Sequence, residues 1–232
     1  MKRLKNMKVI YAGAVAAVTA VLAACTSAPV PPPPAPVAVA IPPRPYPPMG
    51  ASPNFMTPPM DINGVRRTVN VGISPEQTVW NLRSAFNVAA LNCLKPEHAA
   101  ILDAYAAFLK NNSRTLSSVN RALDKSFKAE HGSKYIHARE SYQTQVYNYF
   151  AFPPTLPAFC DAVLQMSRQV QAAPPSDLSA FAAAELPRLE SVFNAFFNSY
   201  DQYRTELASW EARYGAGPIT RADPPQIQGM PQ

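Results

Sequence analysis

The sequence of 232 residues lacks the local motifs that would identify an enzyme. It has no HExxH motif and no ExxH pair, which excludes the familiar zinc peptidases and di-iron bundles. Neither CxxC nor CxxCH occurs, and there is no GxSxG elbow or phosphate-binding glycine loop. We therefore expect no enzymatic activity, no catalytic or metal-binding residues and no cofactor.

A concentrated positive charge is also missing. The chain has 21 basic and 15 acidic residues, a net charge of +6, but four of the basic residues fall within the first eight positions. Without that segment, 17 basic residues stand against 15 acidic ones, a net charge of +2, and they are scattered. Such a chain offers no electrostatic surface for nucleic acid. The one remaining basic pair, Arg66-Arg67, is expected to be solvated.

The apolar run at the N-terminus is too short to span a membrane. Residues 9–22 give about 14 positions, whereas a spanning helix needs roughly 20. A basic start followed by such a run is typical of a secretory signal peptide, which we place at residues 1–24. The next residues, Leu22-Ala23-Ala24-Cys25, resemble the lipobox of bacterial lipoproteins, a resemblance confined to the first 25 residues.

The resemblance to bacterial lipoproteins implies cleavage before Cys25 and acylation of that cysteine. Two or three acyl chains would anchor the protein firmly in a membrane; the alternative is an ordinary secreted protein. Thr26 stands where an Asp would retain the protein at the inner membrane in many enteric-type bacteria. The expected location is thus the outer membrane, with the domain in the periplasm and an envelope protein or the cell wall as partner.

Proline is concentrated after the cysteine. Fourteen of the 26 prolines fall between positions 29 and 59, which predicts a disordered, proline-rich linker over residues 25–60. In the polyproline II form this linker would reach about 110 Å. The tail, residues 215–232, is again proline-rich and is expected to be disordered.

Residues 61–214 carry helical periodicity and predict an all-α bundle of about five to seven helices. Ser74-Pro75-Glu76-Gln77 has the form of a capping box and marks the first helix start. The preceding Ile62-Asn63-Gly64-Val65 predicts a turn, with a short extended segment or small hairpin. Two points stay open: residues 96–131 form one helix or two with a break at 111–113, and Pro187 either kinks a helix or begins one.

The last helix has the most regular pattern. From Leu186 to Tyr214, apolar residues alternate at spacings of three and four, which indicates a packing seam. Because bulky aromatic residues dominate this seam, we favour a face buried within one chain, and hence a monomer. Self-association through the seam is the alternative.

Cys93 and Cys160 remain once Cys25 is acylated, and an oxidising compartment favours a disulfide between them. Two buried thiols are the alternative. In a strict up-and-down bundle with a break at Asn111-Asn112, the two cysteines would lie near opposite ends. A disulfide therefore requires either one long helix or a connection that is not a hairpin.

Six aromatic residues surround Pro153-Pro154, and they would either fill one end of the bundle or form a binding platform. Helical phase turns Tyr147 and Phe152 outward, so we take them as a candidate binding surface. The predicted function is a non-catalytic interaction or scaffolding module of the cell envelope. The alternatives are a binding protein for a small amphipathic ligand held between helices, and an enzyme without recognisable local motifs.

Overall fold

A computed structural model of the chain describes residues 40–215. The predicted signal peptide, the acylated Cys25 and the tail beyond Gly215 lie outside the described residues. The ordered unit treated below begins at Pro42.

Six α-helices build this unit, and the all-α prediction is confirmed. They are α1 Pro75–Asn92, α2 Ala100–Asn111, α3 Ser113–His131, α4 Tyr135–Phe150, α5 Leu156–Ala172 and α6 Leu178–Tyr214. Between residues 40 and 215 the extended structure is limited to one isolated antiparallel bridge, Met60 with Arg66.

Helix α1 is the central helix of the bundle and contacts each of the other five. It begins as predicted, with a capping box in which Ser74 and Gln77 each accept the other's backbone N–H. Its predicted apolar stripe is buried, but so are Asn81 and Ser84 on the same helix. Burial on several sides explains why α1 carries polar residues inside the domain, where each needs a partner.

The chain breaks between α2 and α3 at Asn112, so residues 100–131 form two helices. The two are not an antiparallel pair, because α2 packs mainly on α5 while α3 packs on α1 and α4. This connection lets Cys93, at the end of α1, reach Cys160 in α5 with a Cα separation of 5.5 Å. The disulfide prediction is confirmed, and the required non-hairpin connection is the one observed.

Helix α6 runs without interruption through Pro187 for 37 residues, a length of about 55 Å. Asp177 caps it by accepting the backbone N–H groups of Ser179 and Ala180. The seam from Leu186 to Tyr203 is buried against the rest of this chain. The more exposed C-terminal part of α6 extends along the segment that precedes the helices.

Residues 42–60, which we call the strap, depart from the predicted disordered linker: they pack along α6 in the opposite direction. The Trp210 indole donates to the carbonyl of Pro42 at 2.8 Å, and the Tyr200 hydroxyl donates to those of Ser52 and Pro53 at 2.8 and 2.9 Å. Prolines leave neighbouring carbonyls without regular secondary-structure partners, and the donors of α6 supply those partners. The folded unit therefore starts at Pro42 rather than at Asp61.

A tight turn follows the strap, as predicted. The backbone N–H of Asp61 donates to Val65 at 2.8 Å, and Gly64 has a φ of +74°, a conformation that favours glycine. The following residue, Arg66, is not solvated as expected: its side chain is only 5% exposed, whereas that of Arg67 is 62% exposed.

Candidate functional site

The strap, the end of α4 and the middle of α6 enclose an apolar groove of about 210 Å³. We call it the aromatic groove. It is lined by Phe55, Met56 and Pro58 of the strap, by Asn148, Tyr149 and Phe152 at the end of α4, and by Phe193 and Phe197 of α6. Sites of this kind, mostly apolar with a few polar groups at the edge, are typical of ligand and partner recognition.

Stacked rings fix the walls of the aromatic groove. Phe55 stacks on Phe152 with ring centroids 5.0 Å apart and meets Phe196 edge-on at 5.6 Å. Tyr149 stacks on Phe193 at 4.4 Å. Each such aromatic pair contributes about 0.5–1.5 kcal/mol beyond its buried area, so the groove is held in one shape before anything binds.

A buried carboxylate lies beneath the groove. Glu190 of α6 is 8% exposed and accepts three hydrogen bonds, from the hydroxyl of Thr68 at 2.5 Å, the amide of Asn70 at 2.6 Å and the hydroxyl of Tyr149 at 2.9 Å. Burial, followed by the charge of Glu190, raises the pKa of Tyr149 above its ordinary value. Tyr149 therefore stays protonated and acts as a fixed donor.

The network around Glu190 continues through the domain. The amide of Asn81 donates to Asn70 at 2.9 Å, and the hydroxyl of Tyr142 donates to Asn81 at 2.8 Å. Burial raises the pKa of Tyr142 to about 12. These bonds join α1, α4, α6 and the loop before α1, so the polar groups are satisfied and the loop is held in place.

Arg66 fastens the strap and its turn to α6. Its guanidinium donates to Asp201 at 2.8 Å, to the side-chain oxygen of Asn198 at 2.9 Å and to the carbonyl of Pro58 at 2.9 Å. It also lies over the ring of Phe197, 5.5 Å from the centroid. A nearly buried guanidinium with this many acceptors is a structural clamp.

Exposed apolar side chains are concentrated on the strap and its turn. Of the eleven large apolar side chains that are exposed in residues 40–215, seven lie between positions 41 and 65. They are Ile41, Tyr46, Met49, Met56, Met60, Ile62 and Val65. Met56 is 83% exposed beside the groove, and Ile62 is fully exposed in the turn. Concentrated exposed apolar surface of this kind marks an interaction site in a folded protein.

The two residues predicted as a binding surface have different partners. Phe152 forms part of the groove wall, stacked on Phe55. Tyr147 packs against α1, where its hydroxyl accepts a hydrogen bond from Arg83 at 2.9 Å. Both side chains are half-buried and pack against the core.

Sequence reasoning missed Phe55, Arg66 and Glu190. Phe55 is the one aromatic residue between Tyr46 and Trp80, and that isolated ring in a proline-rich stretch was the available signal. Nothing in the pattern distinguishes Glu190 from the exposed acids of a helix, because its donors come from a distant loop.

The disulfide lies apart from the groove, where it ties the end of α1 to α5. Both cysteines are buried, and next to them the imidazole of His98 meets the carboxylate of Asp161 at 2.8 Å. A second, more polar cleft of about 320 Å³ separates α5 from α6. The buried Glu185 in that cleft is already paired with Arg188 at 3.0 Å.

Two further features were searched for in residues 40–215. That part of the chain contains no group of three or more side chains able to hold a metal ion. None of its helices is both long and apolar enough to cross a membrane.

Comparison of the chain with protein-family models, with curated proteins and with solved structures found no match.

Proposed function

We propose that the chain is a lipid-anchored, non-catalytic docking protein of the bacterial cell envelope. In this proposal the acylated Cys25 holds the protein at the outer membrane on its periplasmic side. The strap and the aromatic groove then bind an envelope protein. The observation that carries the proposal is the concentration of exposed apolar side chains on a segment fixed against α6.

The chemistry of the surface favours a protein partner. Protein interfaces are enriched in aromatic residues and Met, and their strongest contacts insert an apolar side chain into a pre-formed pocket. The groove offers such a pocket, with Met56 exposed at its edge and Asn148 as a polar group in its lining. Because stacked rings fix Phe55, little ordering is required when the partner binds.

In-cell photo-crosslinking tests this docking surface. A photoreactive residue at Met56 or at Ile62 should capture the same envelope protein. The matched control is Ile136 in α4, which is 56% exposed but lies outside the strap. Equal capture from all three positions, or capture from Ile136 alone, would contradict the proposal. Met56→Ser should in addition reduce capture from Ile62.

The lipid anchor has its own test. Mass spectrometry of the mature N-terminus should find Cys25 as the first residue, carrying acyl chains. An unmodified Cys25, or a chain that begins elsewhere, would leave a docking domain without the proposed anchor.

A small amphipathic ligand is the second candidate occupant of the groove. The observation in its favour is a mostly apolar lining that also contains Asn148 and the hydroxyl-bearing Tyr149. Lipid that co-purifies with the protein, or a ligand-dependent rise in melting temperature that Phe152→Ala abolishes, would support it. Absence of cross-linked protein in the same cells would then favour this candidate over docking.

A further inference from the structure

A cluster on α1, α2 and α4 has a positive charge without an acidic partner. The guanidinium of Arg83 is half-buried, donates to the hydroxyl of Tyr147 at 2.9 Å and lies 5.2 Å from the ring centroid of Trp80. Within residues 40–215, no carboxylate lies within 4.0 Å of it. The other described arginines either pair with a carboxylate or are fully exposed.

Hydrogen-bond donors without acceptors surround the same position. Six buried side-chain polar atoms lack a partner in the described part of the chain, and three belong to this cluster. They are the indole nitrogen of Trp80, the hydroxyl of Tyr105 and Nε of Arg139. All three can donate, and a buried donor without an acceptor is costly.

Tyr105 connects these donors to the unpaired charge. Its side chain is 7% exposed, and its hydroxyl has no partner. Burial raises the pKa of Tyr105, while the charge of Arg83 opposes that shift, so the hydroxyl lies within electrostatic reach of the guanidinium.

We infer that Arg83, Tyr105 and Trp80 form a binding site for a carboxylate group. Tyr147 occupies Nη1 of Arg83, which leaves Nη2 and Nε as a fork that matches the two oxygens of a planar carboxylate. The neighbouring Arg139 already pairs with Asp124, so one positive charge remains uncompensated. That charge matches a monoanion better than a phosphate dianion.

The carboxylate can come from a small organic acid or from an acidic side chain of a protein. This site is separate from the aromatic groove and does not depend on the docking function proposed for it. Its residues come from α1, α2 and α4, whereas the groove lies between the strap, α4 and α6.

Tryptophan fluorescence tests the site in the full chain. The chain has two tryptophans, so Trp210→Phe leaves Trp80 as the only reporter. Sodium acetate should give a saturable change in Trp80 emission that sodium chloride at equal ionic strength does not give. Inorganic phosphate should bind more weakly than acetate. A short glutamate peptide that binds more tightly than acetate would identify a protein side chain as the source, and weaker binding a small acid.

Two variants separate binding from structure. Arg83→Gln should weaken acetate binding about tenfold or more, because a charge-assisted fork is lost. Tyr105→Phe should also weaken acetate binding, yet leave the melting temperature unchanged or higher, since it removes a buried hydroxyl without a partner.

The inference is overturned if acetate gives no saturable response, or if Arg83→Gln, still helical by circular dichroism, binds acetate as the parent does. Should Arg83→Gln fail to fold, Tyr105→Phe decides. Unchanged acetate binding in that variant, together with a lower melting temperature, would show that the cluster is only structural.

Discussion

The packing of Phe55 gives the sharpest test of the strap, because the sequence pattern places this residue in a disordered linker. Its ring lies within 5.0–6.2 Å of four other aromatic rings, those of Phe152, Phe196, Phe197 and Tyr200. Replacing a fully buried Phe by Ala costs about 3–5 kcal/mol. Since Phe55 is half-buried, we expect Phe55→Ala to lower the free energy of unfolding by about 2 kcal/mol.

The assay is thermal and denaturant unfolding followed by circular dichroism. For a domain of this size, 1 kcal/mol corresponds to about 2–4 °C, so the melting temperature should fall by about 4–8 °C. The matched control is Tyr46→Ala in the same strap, whose side chain is 78% exposed and whose loss should cost under about 0.5 kcal/mol. If both variants melt together with the parent, the strap is not packed in solution and the groove has lost one wall.

Three further predictions concern the disulfide, alkaline pH and the linker. Reduction, or Cys160→Ala, should cost about 4 kcal/mol of stability; alkylation that finds two free thiols in the untreated protein would contradict the bond. Burial favours the neutral form of Tyr142 and raises its pKa to about 12, so its contribution to stability is complete below about pH 10 and is lost as the pH rises through 12. Tyr142→Phe should reduce the loss of stability between pH 10 and 12, measured by denaturant unfolding, and an unchanged pH dependence would argue against this titration. Deleting residues 31–38 should leave the melting temperature unchanged, whereas deleting residues 42–49, an equal length, should lower it by removing the contacts to Trp210 and Glu211; equal melting of both would refute the packed strap.

Local signals in the sequence predicted the helices well. The capping box at Ser74 and the stripes spaced by three and four residues depend on interactions within one helix, and the structure contains both. The disulfide was also predictable, because Cys93 and Cys160 are the two cysteines left after the proposed acylation of Cys25. Reasoning from the bond to the topology excluded a hairpin with a break at Asn112, which the structure bears out.

Composition gave the wrong indication for the strap. Prolines suggest a disordered chain because they cannot form helices or central strands, but their rings and carbonyls can still pack and accept hydrogen bonds. What orders residues 42–60 is a set of donors and rings on α6, such as Tyr200 and Trp210. These lie about 150 positions later in the chain, and no local pattern links the two. The groove was unpredictable for the same reason.

A packed strap changes what the proposed anchor can do. If residues 25–41 adopt the predicted polyproline II form, they span about 50 Å rather than about 110 Å. They join the domain where Pro42 meets Trp210, and Phe197 lies 13 residues earlier on α6, about 20 Å away. The groove is thus within reach of the membrane surface.

A groove of about 210 Å³ accommodates only a small part of a partner, so its own affinity should be modest. Confinement to the membrane compensates for this weakness, because a second molecule held at the same surface is present at a high effective concentration. The same affinity would be too weak for a partner that diffuses freely through the periplasm. The proposed lipid anchor and the small groove therefore favour a partner that is itself attached to the envelope.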